Sequence, residues 1–198
     1  YLDVLLRSEL LWPLALFGSG EVTGELLTRC KGFLEGESVD PELLQCSLNS
    51  GAFSGALGFD DFRRIIEDPA KPDELKSYAY GAIGWFQEEP AIHEVLEYTE
   101  KQMKAQERIY VYRTIAANPA AGKAAFRWLE ENLPGIESMH HYIRSIAVAE
   151  LVPVCEPENE REFTGLFERC SFEDPSLNQV VAIARELREV YRKFRIPE

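Results

Sequence analysis

The chain of 198 residues carries 34 acidic and 21 basic side chains, which gives a formal net charge of −13. Such a surface repels phosphate backbones, so we expect no nucleic-acid partner. Apolar residues make up 45% of the chain, which excludes a disordered protein. No apolar run approaches the ~20 residues that a membrane-crossing helix needs, so we expect no membrane partner.

Apolar residues recur at intervals of three and four, and no segment shows the alternation of a half-buried strand. Turn and cap signals divide the chain into about eleven helices with short connections. In chain order, these signals are Gly18-Ser19-Gly20, Asp40-Pro41, Gly58, Pro72-Asp73, Pro90, Asn118-Pro119, Pro134-Gly135, Glu156-Pro157 and Asp174-Pro175. We therefore predict helices throughout and no sheet.

A weak internal repeat connects these helices. The segment GALG at 55–58 is echoed by GAIG at 81–84, and the corner NPAAG at 118–122 plays the same part further on. A helix, a small-residue corner and a second helix form the repeating unit of an α-solenoid. We predict an all-α fold of antiparallel helix pairs stacked as a HEAT/ARM-like α-solenoid, with an irregular helical bundle as the alternative.

The last predicted helix shows the helical period best. Asp174 is a suitable N-cap, and Pro175 suits the first helical position. The apolar positions fall on one predicted stripe: Leu177, Val180, Val181, Ala184, Leu187, Val190, Tyr191 and Phe194. The charged positions fall mainly on the other side: Arg185, Glu189, Arg192 and Lys193.

The number and spacing of the cysteines indicate the redox state of the cellular compartment. No pair of them has the close spacing of a zinc knuckle, and four is a low number for a disulfide scaffold. We predict buried free thiols at Cys30, Cys46, Cys155 and Cys170. Free thiols suit a reducing compartment, so we expect a cytoplasmic protein.

The three histidines do not form a catalytic motif. His93 begins the segment HEVLE, in which Glu97 stands where H-E-x-x-H has its second imidazole. A two-ligand metal site at this pair is one alternative, but we interpret the pair as part of a solvated helix face. His140 and His141 are adjacent, so they point in different directions on a helix. We expect no catalytic residue, metal site or cofactor in this chain.

The segment QERIYVYRTI mixes aromatic and cationic side chains. Tyr110 and Arg113 are three residues apart and share a helix face, whereas Tyr112 lies on another face. A face of this kind can bind a carboxylate or a peptide end. The alternative for each residue is helix packing with the arginine stem along the surface.

Residues 114–133, TIAANPAAGKAAFRWLEENL, resemble a corner in the C-terminal helical domain of the gluzincin zinc aminopeptidases. This family includes aminopeptidase N, the puromycin-sensitive enzyme and the endoplasmic reticulum aminopeptidases, and its pattern is roughly I-A-x-N-P-x-G-x-x-x-A-W-x-F-[LV]-x-x-N-W. The matching positions are Ile115, Ala116, Asn118, Pro119, Ala125, Leu129 and Asn132. Gly122 comes one residue late, Phe126 and Trp128 exchange the family's Trp and Phe, and Leu133 replaces the final Trp. The segments 6–19 and 82–98 also resemble the family in order and spacing.

The resemblance implies that residues 1–198 are one C-terminal helical-repeat domain, and the start at Tyr1 without Met favours a piece of a longer protein. The parent would be a zinc metallopeptidase that removes N-terminal residues from peptides. Its H-E-x-x-H…E zinc site and its G-x-M-E-N motif would lie upstream, in the catalytic domain that this domain partners.

In that family the domain closes over the active-site cavity, limits the length of substrates and, in some members, holds the far end of a peptide. The resemblance therefore implies peptide substrates as further partners. The candidate contacts for a peptide end are Tyr110, Arg113 and Arg144. The alternatives are a free-standing helical-repeat adaptor that binds protein partners and an enzyme with an unrecognised helical active site at His93 and Glu97.

Overall fold

The computed structural model describes residues 2–169 and 172–194. In these ranges the chain forms eleven α-helices and two 3₁₀ turns, and no strand occurs in them. The predicted all-α class is therefore confirmed. The helices divide into two compact units, residues 1–87 and residues 88–198. None of the described helices is long and apolar enough to cross a membrane.

The first unit contains five helices. They are α1 (Leu2–Leu16), α2 (Gly20–Leu34), α3 (Pro41–Phe53), α4 (Phe59–Glu67) and α5 (Asp73–Ile83). Helix α3 is central, since it packs against α1, α2 and α5, while α4 packs against α5. Helices α1, α3 and α5 thus form one row of neighbours, as in the layering of an α-solenoid.

The second unit repeats this layering with six helices. They are α6 (Glu89–Gln102), α7 (Ala105–Ala117), α8 (Gly122–Asn132), α9 (His141–Val154), α10 (Glu160–Arg169) and α11 (Pro175–Phe194), with 3₁₀ turns at Pro119–Ala121 and Leu133–Ser138. Helix α6 packs against α8, α7 against α9, and α9 against α11. The solenoid-like packing that the repeat predicted is confirmed within each unit.

Asp174 acts as the N-cap that the sequence predicted, and Asn118, predicted as a turn residue, is a cap as well. The Asp174 side chain accepts a hydrogen bond from the Ser176 backbone N–H at 2.8 Å, which caps α11. The Asn118 side chain is buried and accepts from the Ala120 N–H at 3.0 Å, which caps the 3₁₀ turn at the corner. Short polar side chains at such positions satisfy backbone donors that a helix start leaves unpaired.

The second member of the predicted repeat has a different role from the first. The segment 55–58 connects α3 to α4, with Gly55 at φ +71°. Residues 81–83, in contrast, form the last turn of α5, and only Gly84 lies beyond it, as the C-cap. A Cβ on Gly81 would lie 3.2 Å from Gln45 Nε2, so this glycine lets α5 approach α3 closely.

Aromatic side chains fill the core of the first unit. Trp12 from α1 meets Phe53 and Trp85 edge-on, with ring centroids 5.8 and 4.8 Å away. Phe86 packs edge-on against Phe62 at 5.8 Å. Edge-on pairs of this kind add about 0.5–1.5 kcal/mol each to the apolar area that they bury.

The core of the second unit is built around Tyr112 and Trp128, whose ring centroids lie 5.9 Å apart. Tyr112 is fully buried, and its hydroxyl donates to Glu100 at 3.4 Å. Arg108 donates to the same Glu100 carboxylate at 2.7 Å, so α6 and α7 share a polar contact. Burial raises the pKa of the Tyr112 hydroxyl, which stays protonated and serves as a donor.

Three of the four predicted buried thiols lie in the described part of the chain. Cys30, Cys46 and Cys155 are buried and form no disulfide, as predicted, whereas Cys170 lies outside the described residues. Burial, with a smaller effect of Asp61, raises the pKa of the Cys30 thiol to about 11. Burial also raises the pKa of Cys46 and Cys155. These thiols are therefore inert packing groups.

The apolar stripe predicted for the last helix is wrong in its second half. Leu177, Val181 and Ala184 are buried as predicted. Leu187, Val190 and Tyr191 are exposed, and Arg188 is buried in their place. The predicted position of Phe194 lies outside the side chains that the structure describes. The helix turns its Arg188 face inward because this side chain finds a full set of partners there.

Arg188 joins three segments of the second unit. Its Nη1 and Nη2 each donate to one oxygen of the Glu160 carboxylate at 2.9 Å, and its Nε donates to the Cys155 carbonyl oxygen at 3.0 Å. The guanidinium carbon also lies 3.9 Å from the centroid of the Phe163 ring. A guanidinium with a bidentate carboxylate, a carbonyl and an aromatic face is satisfied in spite of its burial.

Gly122 allows the corner to approach the segment that follows α9. The Glu156 N–H donates to the Gly122 carbonyl oxygen at 2.9 Å. A Cβ on Gly122 would lie 2.9 Å from the Glu156 Cβ, and closer still to its Cγ and Cδ. Gly122 has ordinary helical angles, φ −56° and ψ −43°, so close approach rather than backbone conformation requires the glycine.

We expect Gly122→Ala to lower the free energy of unfolding by about 1–3 kcal/mol, because the added methyl group overpacks the contact with Glu156. The matched control is Gly165→Ala inside α10, where a Cβ meets nothing within 4 Å. That change should raise the free energy of unfolding by about 0.8–1 kcal/mol, since alanine is the better helix former. Urea unfolding of both variants measures these changes in the free energy of unfolding. If both substitutions stabilise the chain equally, the contact between Gly122 and Glu156 is not tight.

We expect Arg188→Met to lower the free energy of unfolding by about 1–3 kcal/mol, because the buried Cys155 carbonyl loses its donor. Lys193→Met is the control, since it removes an exposed charge from the same helix and should change stability by less than about 0.5 kcal/mol.

Arg188 lowers the pKa of Glu160 from its ordinary 4.5. The stability that this lowering supplies is complete above pH 4.5 and is lost as the pH falls through the lowered value. The difference in stability between Arg188→Met and the parent chain should therefore narrow in acid, while the part due to the Cys155 carbonyl remains; urea titrations over this pH range measure it, and a difference that does not change with pH would contradict the Arg188–Glu160 pairing.

Candidate functional site

One face of α7 stays exposed along the whole helix. Its residues follow each other at intervals of four, three and four: Gln106, Tyr110, Arg113 and Ala117. Tyr110 is 49% exposed, and Arg113 has a side chain that is 64% exposed. Tyr112 points into the core. The structure thus brings Tyr110 and Arg113 to one surface, hereafter the α7 face, and separates Tyr112 from them.

Arg113 is held loosely on this face. Its Nε lies 3.5 Å from Glu150 Oε1 on α9, a distance that gives an ion pair without a well-formed hydrogen bond. Exposed pairs of this kind contribute only about 0–1 kcal/mol. The guanidinium can therefore exchange Glu150 for another carboxylate at little cost.

Arg144 has a different environment from the other two candidate contacts. Its side chain is 12% exposed, Nη1 donates to the Glu137 carbonyl oxygen at 2.8 Å, and Nη2 pairs with Asp174. The Asp174 N–H donates in turn to Glu137 Oε1 at 3.0 Å. Hydrogen bonds from Ser176, and then Arg144, lower the pKa of Asp174. The Arg144 guanidinium thereby ties α9 to the start of α11.

A cleft of about 370 Å³ lies at the corner where α7 ends, and this size is near the lower limit for small-ligand sites. Its lining residues are Ala116, Ala117, Asn118, Pro119, Gly122, Pro153, Val154 and Tyr191. Ala117 belongs both to this lining and to the α7 face, so the face leads into the cleft. Sequence reasoning missed the cleft because α9 and α11, which supply Pro153 and Tyr191, are far from the corner in sequence.

A second cleft of about 330 Å³ shares Pro153 and Tyr191 with the first. It is also lined by Glu156, Glu160, Arg188 and Arg192. Glu160 forms an ion pair with Arg192 at 3.1 Å in addition to its two hydrogen bonds with Arg188. Two carboxylates and two guanidiniums balance each other, so this cleft has no strong preference for the charge of a ligand.

A polar cluster lies on α6 and α8, and the sequence indicated only two of its three residues. His93 and Glu97 lie one turn apart on α6, as expected, and Glu131 from α8 joins them. The His93 Nε2 lies 3.1 Å from Glu131 Oε2. One potential ligand atom from each of the three residues lies within 4.8 Å of the others. The sequence did not predict Glu131 here because it is 38 residues away from His93 and belongs to no motif.

A model of the family described as ERAP1-like C-terminal domain matches residues 1–187. The matched range includes the corner at Asn118, the α7 face and the cluster at His93. No curated protein and no solved structure matches the chain.

Proposed function

The chain belongs to the ERAP1-like C-terminal domain family, a helical domain of aminopeptidases, and we propose that it closes the active-site cavity of its parent enzyme and gates or holds peptide substrates. Family membership makes the chain part of an aminopeptidase, and such a domain suits association with the catalytic domain. The gating and holding roles are the finer part of the proposal.

The observation that carries the proposed peptide contact is the α7 face with its adjoining cleft. A peptide end needs a partner for its carboxylate and a surface for its last side chains. The loosely paired Arg113 supplies the first, and Tyr110 supplies an aromatic ring with a polar tip. The cleft beyond Ala117 is large enough to take a side chain of the same peptide.

The physical role of the domain would be exclusion and positioning. A wall of packed helices over a cavity bars a folded protein, while a free chain end can enter. A charge-assisted hydrogen bond from Arg113 to a terminal carboxylate would contribute about 1.5–3 kcal/mol, with the lower value favoured by its exposure. Arg144 suits such a contact less well, because Asp174 and Glu137 already bind its guanidinium.

We also propose that the zinc chemistry belongs to the parent's catalytic domain. The three histidines of this chain, at positions 93, 140 and 141, provide no H-E-x-x-H motif. The residues here would bind and orient a peptide while removal of the N-terminal residue takes place elsewhere. The buried thiols of Cys30, Cys46 and Cys155, which form no disulfide, support the cytoplasm as the proposed location, since it is reducing.

One observation favours the adaptor as the second candidate function. Helix α11 exposes an apolar stripe of Ile183, Leu187, Val190 and Tyr191, and a stripe of this kind can receive an apolar face of another protein. The α7 face favours the peptidase role, because it offers a cation beside an aromatic ring rather than an apolar surface.

In the full-length enzyme we expect Arg113→Ala to raise KM for long peptides about tenfold, because a charge-assisted hydrogen bond of at least ~1.5 kcal/mol is lost. In this proposal α7 binds the far end of a long peptide, so the value for a dipeptide-sized substrate should not change. Steady-state kinetics on a series of peptide lengths measures both values.

Arg127→Ala is the matched control. Arg127 on α8 is 61% exposed and lies 3.9 Å from Glu131, so it resembles Arg113 in exposure and in its weak ion pair. Its removal should leave KM for long peptides unchanged. If Arg113→Ala also leaves that value unchanged, or if both variants raise it equally, Arg113 does not bind the peptide end.

The coding sequence upstream of Tyr1 tests the parent itself. We expect an open reading frame with a G-x-M-E-N motif and, further along, H-E-x-x-H followed by a glutamate. Sequencing the transcript decides this. A start codon just before Tyr1, without such a frame, would exclude the closing role and favour the adaptor.

A further inference from the structure

The cluster of His93, Glu97 and Glu131 has the composition of a metal site. An imidazole and two carboxylates are the nitrogen and oxygen ligands that zinc and related divalent ions accept. His93 and Glu97 are four residues apart on α6, so their side chains share one helix face. Glu131 approaches them from α8, which packs against α6.

The separations in the cluster are close to those of a bound ion. Ligands at 2.0–2.2 Å from a tetrahedral zinc lie about 3.3–3.6 Å from each other. The His93 Nε2 and Glu131 Oε2 are 3.1 Å apart, and the third ligand atom lies within 4.8 Å of both. The Glu97 side chain is 26% exposed, so it has room to rotate toward an ion.

The charges also fit a divalent cation. Two carboxylates balance the charge of the ion, and the imidazole binds in its neutral form. Two cations now lie beside these carboxylates, since Lys101 pairs with Glu97 and Arg127 Nε lies 3.9 Å from Glu131 Oε1. Both cationic side chains are largely exposed, so they can move into solvent when an ion replaces them.

We propose that His93, Glu97 and Glu131 bind a divalent transition-metal ion of the zinc type, which clamps α6 to α8 on the surface of the second unit. Three protein ligands leave one coordination position for water. This clamp is separate from the peptide-binding role, so neither proposal depends on the other.

The test is a calorimetric titration of the 198-residue chain with ZnCl₂ in a buffer that does not chelate zinc. We expect one ion per chain, and thermal unfolding should shift to a higher temperature as zinc is added, since the ion binds the folded state. His93→Ala and Glu131→Gln should each weaken binding at least about tenfold, because even changes to residues behind the ligands cost ~10–100-fold. Lys101→Met should tighten binding, because it removes the competing ammonium.

Two controls match these changes. Glu130→Gln removes the same charge from the adjacent, exposed position of α8, and His140→Ala removes an exposed imidazole from another segment. Neither should alter the affinity for zinc, and circular dichroism verifies that every variant is folded. Equal affinity in His93→Ala and the parent chain would overturn the proposal. Equally tight binding of Mg²⁺ would overturn it too, because the acidic surface alone would then explain the ion.

Discussion

The two residues that follow α9 hold the second unit together. The Cys155 carbonyl oxygen receives the Arg188 guanidinium from α11, and the next N–H, that of Glu156, donates to Gly122 at the start of α8. Arg188 then reaches Glu160 at the start of α10. Successive backbone groups of one short connection therefore bind two other helices, and the Arg188 side chain adds a third, α10. A connection with this many partners fixes the ends of its helices more firmly than helix propensity can.

This arrangement decides which face of α11 is buried. The helix has enough apolar residues to bury either side, and the apolar period alone favours Leu187 and Tyr191. Arg188 can be buried here only because it has these acceptors, since a buried guanidinium without them would cost several kcal/mol. Each apolar side chain that this leaves exposed forgoes up to about 1.5–3 kcal/mol of transfer free energy. The apolar stripe on the surface of α11 is thus a consequence of satisfying one polar group.

Local sequence signals were enough to predict the helices and their ends, but they could not predict the contacts between helices that are far apart in sequence. Asn118 and Asp174 cap helices through neighbours two residues away, so the sequence shows both the donor and the acceptor. The burial of Arg188 depends on Cys155 and Glu160, 33 and 28 residues away, and no periodic pattern contains that information. The candidate sites divide in the same way: the α7 face follows from helical spacing, whereas Glu131 joins His93 only through the packing of α8 on α6.

The arginines differ in how deeply they are buried and in how many partners they have, and this difference indicates which of them could bind a ligand. Arg188 and Arg144 are nearly buried, and each binds a carboxylate together with a backbone carbonyl, so moving either one would break contacts between helices. Arg113 is largely exposed and has one long ion pair, so it can take a new partner while the scaffold stays intact. Binding residues on a helical repeat need this independence, because a ligand can use a side chain only at the cost of the contacts that the side chain gives up. By this criterion the α7 face suits the proposed peptide contact better than Arg144, whose contacts with Asp174 and Glu137 hold α9 to the start of α11.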